Sequence, residues 1–136
     1  MGKKILAGVV GVITAIALVS VIQRIGHAIW PPPADLDFGN TDVMRAYVDT
    51  LPLGAMLTVA VSWFVGSLGG TFAACKFGTA RPLIYVLVVG GMMFAGAAIN
   101  LTVIPHPVWF SILGLVGILL GAWLGMKLGT REARPE

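Results

Sequence analysis

Apolar residues run almost unbroken through four stretches of this chain, and prolines and polar side chains gather in the three gaps between them. A hydrocarbon core about 30 Å thick is crossed by about 20 helical residues rising about 1.5 Å each. Stretches of that length lie at about 5–23, 52–75, 83–102 and 108–128. The first is softened only by Thr14 and Ser20, and none carries a charge in its middle. Pro52 and Pro82 suit helix starts, where a missing N–H is needed by no partner. Pro105-His106-Pro107 forces a tight, rigid turn before the fourth stretch. The pattern predicts one all-α domain over residues 1–136, an integral membrane bundle of four spans.

Residues 24–51 form the one sizeable polar segment. Pro31-Pro32-Pro33 gives it a stiff, extended start, because proline holds φ and turns its predecessor away from helix. Asn40 or Thr41 then caps a short helix from Asp42 to about Asp49, with an acid in its first turn. Val43, Tyr47 and Val48 are its expected apolar face, resting on the membrane surface. Lys3 and Lys4 before an apolar run imitate a signal peptide. The run is 18 residues long, beyond the usual core of about 7–15, and Gly26-His27-Ala28 is a loose cleavage site. It reads as an anchor helix that is kept.

Composition agrees with the pattern. The chain is 57% apolar and 11% charged, with a mean hydropathy of +0.93. Soluble domains carry about 25% charge. The single cysteine excludes a disulfide scaffold. A net charge of +3 would suggest nucleic acid in a polar chain; here the charges mark membrane ends, and nucleic acid is excluded. Lys3, Lys4, Lys76, Arg81, Lys127, Arg131 and Arg134 share one side with Glu132 and Glu136. Arg24 and Arg45 share the other with Asp35, Asp37, Asp42 and Asp49. The two sides thus carry +5 and −2. Basic loops stay inside, so both termini are expected in the cytoplasm.

Comparing the chain with itself reveals a repeat. At a shift of 51, residues 65–79 match residues 116–130 at seven of fifteen positions, including Lys-x-Gly-Thr at both ends. Phe72 falls on Trp123 in the same register, and a weaker shift of 79 brings His27 and Trp30 onto His106 and Trp109. The chain therefore reads as two similar helical hairpins. Small residues recur every fourth position: Ser62, Gly66, Gly70 and Ala74 in the second span, Gly117, Gly121, Gly125 and Gly129 in the fourth. Shorter rows are Ala7, Gly11 and Ala15 in the first span and Gly91 and Ala95 in the third. Positions four apart share a helix face, and small ones let a neighbouring backbone approach.

Chemistry-bearing residues are few. Proton-coupled transport usually places a carboxylate or histidine within the membrane, and no span has one. Small multidrug transporters place a glutamate in their first helix, fluoride channels insert in both orientations, and disulfide-generating enzymes need cysteine pairs; this chain fits none of them. Cys75 lies beside Lys76, which would lower a thiol pKa, but it reads as packed and inert. The candidate ligand contacts are Arg24, His27, Trp30, Asn100, His106 and Trp109. His27 and His106 with Asp35 make a weak metal set, because neither His-x-His nor His-x-x-x-His occurs. Asn100, one turn before Pro105, suits a bond across the bundle or to a lipid headgroup. Trp30, Trp109 and Phe110 read as interfacial anchors.

His-Ala-Ile-Trp-Pro-Pro-Pro in the first gap and Ile-Pro-His-Pro-Val-Trp-Phe in the third, with glycine-rich second and fourth spans, resemble small four-helix bacterial inner-membrane proteins. The resemblance covers most of the chain and implies the membrane and the fold, without an activity or a named site. Packing signals outnumber chemical ones. The expected role is a non-catalytic membrane module that packs with itself or a membrane-protein partner, or that holds a lipid or small apolar molecule without a cofactor. A small uncoupled oligomeric transporter or channel is the alternative, and an outer-face histidine or metal enzyme the third reading.

Overall fold

The computed structural model describes residues 2–132, and of Glu132 the backbone only. Arg134 and Glu136, counted above in the charge balance, lie outside the described residues. Five helices follow one another: α1 (Gly2–Ile29), α2 (Thr41–Thr50), α3 (Leu53–Phe77), α4 (Pro82–Val103) and α5 (Val108–Glu132). All but α2 are long and apolar enough to cross a membrane. Large side chains such as Ile5, Ile13, Leu87, Ile99, Val108 and Leu119 remain exposed along them. So broad an apolar surface suits lipid rather than water.

The long helices overrun their expected ends. α1 extends to Ile29 because nothing before the three prolines opposes a helix. At 28 residues it is about 42 Å long, and its last turns carry Arg24 and His27. α4 starts with Pro82 in its first turn and stops where Ile104 turns extended before Pro105. Within it, Val86–Gly90 forms one π-helical turn, which the residue pattern did not announce.

α2 has the expected cap: Asn40 Oδ1 accepts from the backbone N–H of Asp42 (3.0 Å) and Val43 (3.2 Å). Such a cap contributes about 1 kcal/mol. Its apolar face differs from expectation. Met44 and Val48 are buried with Tyr47 beside them, whereas Val43 is exposed. Positions 44, 47, 48 and 51 form a single stripe, and it rests on the end of the bundle. The helix is a lid on protein rather than a float on the bilayer.

α3 is the axis of the bundle. Its row Ser62, Gly66, Gly70 and Ala74 faces α1: a Cβ on Gly70 would lie 2.6 Å from the Gly11 carbonyl oxygen, and one on Gly11 would lie 2.7 Å from that of Gly70. The row on α5 faces α3. A Cβ on Gly121 would lie 2.5 Å from Phe64 O, one on Gly129 2.7 Å from Phe72 O, and one on Gly125 would collide with Leu68 O. Gly117 is different, having ordinary contact at 3.8 Å; Gly114 takes its part, lying against the Trp63 ring. Ser67 Oγ donates to the Ile118 carbonyl at 2.7 Å and ties the same two helices together. Two rows that correspond in sequence thus serve different neighbours. The Gly91 and Ala95 row faces outwards, with nothing near Gly91 and Ala95 exposed. One repeated detail survives: Lys76 lies 5.4 Å over the Phe72 ring and Lys127 lies 5.0 Å over that of Trp123. In both, a lysine folds back one turn onto an aromatic face.

α4 joins this three-helix assembly through fewer side chains. The π turn presents Val89, fully buried, to the glycines Gly11 and Gly70 where α1 meets α3. Higher up, Ala97 joins Met56, Ala60, Trp63, Phe110 and Ile118 in the core cluster nearer α2. The other cluster, near the basic helix ends, is Ala7, Ala15, Ala74, Cys75, Tyr85 and Val89. Cys75 is buried there, its Sγ 3.9 Å from Pro82 O. Tyr85 folds back over Gly78, where any Cβ would strike its ring, and its hydroxyl accepts from the Ala80 N–H at 3.3 Å.

Candidate functional site

The α2 end of the bundle encloses a cavity of about 150 Å³. Its floor is Ala55, Thr58 and Val59 of α3; one wall is Gln23, Gly26 and His27 from the last turns of α1. Ile104 and His106 close the opposite wall, and Met44, Tyr47 and Val48 of α2 form the roof. Trp30, Pro32 and Phe38 of the proline loop complete it. Trp30 reaches this place because Gly54 has no side chain: a Cβ there would lie 2.8 Å from the indole. Gly26 does the same for the α1–α3 approach, with Thr58 Cγ2 2.9 Å from where its Cβ would be.

The polar groups of the wall are held in place. Gln23 Nε2 donates to Ser62 Oγ at 3.2 Å, and that hydroxyl donates to the Val59 carbonyl at 2.6 Å. His106 Nδ1 lies 2.8 Å from Ile104 O. A carbonyl only accepts, so the proton is on Nδ1, leaving Nε2 as an acceptor in the neutral ring. The imidazole also stacks on Phe110, with centroids 4.5 Å apart and planes 16° apart. Burial lowers the His106 pKa from its ordinary value, with the bond to Ile104 opposing the shift.

A pH dependence follows. The folded protein favours neutral His106, so stability is full above the unfolded-state value of about 6.5 and falls as pH drops through it. Thermal unfolding in detergent is expected to show this loss as the pH falls below about 6.5. The loss should shrink in His106→Phe, which keeps the stack and removes the titrating nitrogen. An equal slope in the variant refutes the assignment.

Of the six residues picked out in the sequence, His27, Trp30 and His106 line this cavity together. Arg24 is exposed on the outer turn of α1, and Trp109 is 44% exposed and meets Phe110 edge-on at 6.0 Å. Phe110 is no interfacial anchor, being fully buried against Trp63 and His106. Asn100 belongs elsewhere, to an open groove with Ile16, Val19, Ser20 and Met93, and its buried Oδ1 lacks a partner among the described residues. The metal set is not assembled. Asp35 is exposed beyond the prolines, and among the described residues no three His, Cys, Asp or Glu groups come together as ligands.

Gln23, Phe38, Met44 and Thr58 are lining residues that sequence reasoning missed. The 44/47/48/51 stripe was the available signal for the roof. No family model matches the chain, and no curated protein or solved structure does either. What the site does therefore follows from its chemistry.

Proposed function

We propose that this protein is a non-catalytic module of the bacterial inner membrane that holds a small, largely apolar molecule in the pocket beneath α2. The +5 and −2 charge division supports termini in the cytoplasm, which puts the pocket near the outer surface. The cavity itself carries the reading: about 150 Å³, walled mainly by apolar and aromatic side chains with Gln23, His27 and His106 as its polar edge. An apolar cavity of about 150 Å³ takes a benzene-sized ring. The ligand is thus a single ring, or the end of a longer lipid. A deep apolar body with a few placed polar groups is the usual form of a small-molecule site. The likeness of residues 65–79 to 116–130 we read as a duplicated hairpin whose copies took different packing partners.

Fluorobenzene followed by ¹⁹F NMR tests the pocket. Saturable binding to the detergent-solubilised protein is expected, and Ala55→Phe, which sends a ring into the cavity, is expected to remove it. Absence of saturable binding, or binding unchanged in a folded Ala55→Phe protein, overturns the proposal.

A further inference from the structure

We propose a second site, at the basic end of the bundle, that holds one anionic phospholipid between α1 and the end of α3. A groove of about 330 Å³ runs there, lined by Lys3, Leu6, Ala7 and Val10 of α1 and by Phe77. Positions 3, 6, 7 and 10 lie on one helix face, so the lysine stands at one end of an apolar track about 10 Å long. Leu6 is 62% exposed and Phe77 65%, leaving the track open to a lipid chain. Side chains lean toward a helix N-terminus, and a lysine stem lies along apolar surface while its ammonium reaches for the headgroup region. An acyl chain lying on Leu6 and Val10 therefore brings its phosphate to Lys3. Lys3 selects the headgroup, and the charge around it has the same sign: Lys4, Lys76, Arg81, Lys127 and Arg131 lie at this end with Glu132, whereas the four aspartates lie at the other. A zwitterionic headgroup brings a second cation into that field and an anionic one does not. Free phosphate leaves the apolar track uncovered, so the occupant is a lipid.

The site rests on the chain being embedded in a bilayer, and is independent of whether the α2 pocket is filled. Its test is native mass spectrometry of the delipidated full chain, titrated with phosphatidylglycerol or with phosphatidylcholine of the same acyl chains. Wild-type protein is expected to retain one phosphatidylglycerol about fivefold more tightly, the ratio equivalent to about 1 kcal/mol for a lysine near an anionic surface. Lys3→Gln is expected to remove most of that preference, and Lys4→Gln, on the same end but off the groove, to keep most of it. Both side chains are exposed, so neither change threatens folding. Equal retention of the two lipids refutes the site. So does a preference lost equally in both variants, which is the mark of diffuse charge.

Discussion

Gly121→Ile is expected to lower the stability of the detergent-solubilised protein by about 3 kcal/mol or more, at the upper end of what overpacking costs. The reason lies in what the new side chain meets. A Cβ at this position would lie 2.5 Å from the Phe64 carbonyl oxygen and 3.2 Å from the Leu68 nitrogen. Both are backbone atoms inside α3, and neither can rotate away as a side chain would. The helices must separate, and separation also breaks the bond from Ser67 to Ile118 O and lifts Gly125 from Leu68. Lipid offers no hydrophobic drive to bring them back, because helix association in a membrane depends on close packing and hydrogen bonds. Gly91→Ile is the control. Nothing lies within 4 Å of a Cβ there, and a change within about 0.5 kcal/mol is expected. Thermal melts of the two variants decide the matter: equal losses, or none at Gly121, refute close backbone packing of α3 on α5.

The other large effect is expected from Trp63→Ala, at about 3–5 kcal/mol. Trp63 lies near the middle of α3 and is 5% exposed, and its ring meets Phe110 at a centroid distance of 5.6 Å. It fits only because position 114 is glycine, whose added Cβ would lie 2.6 Å from the indole. That dependence makes the two positions a pair. Gly114→Leu should be strongly destabilising alone, yet should partly restore the Trp63→Ala protein by filling the vacated space. A double-mutant cycle in chemical or thermal unfolding measures the coupling. Additive losses would mean that the indole does not occupy the notch at Gly114.

These two results probe the part of the fold that was half legible beforehand. A row of small residues every fourth position announces that a backbone comes close, and so it does at Gly11, Gly66, Gly70, Gly121, Gly125 and Gly129. The row carries no sign of which backbone. By the repeat, the α5 row should meet the partner that corresponds to α1, and it meets α3 instead. The candidate site was legible to a similar degree. His27 and His106 were drawn together by a weak alignment and do line one pocket. Asp35 and Arg24 were grouped with them as outer-face polar residues, and neither lines the pocket. Tyr47 and Val48 of the roof were legible as an apolar face, but Met44 and the surface they cover were not, because an apolar side chain does not name its partner.

Length and hydropathy alone determine the four long helices, because a run of about 20 apolar residues has few other ways to satisfy its backbone in lipid. The proline-marked ends, the cap at Asn40 and the charge division between the two ends were local matters as well, governed by groups a few residues apart. The π turn at Val86–Gly90, the partner of each glycine row and the seating of α2 on the bundle were decided only by packing. Each of those depends on how backbones far apart in the chain fill one another's gaps, and a residue pattern specifies the gap without specifying what fills it. The pocket is the result: about 150 Å³ left where α1, α3 and the His106 turn meet beneath a lid.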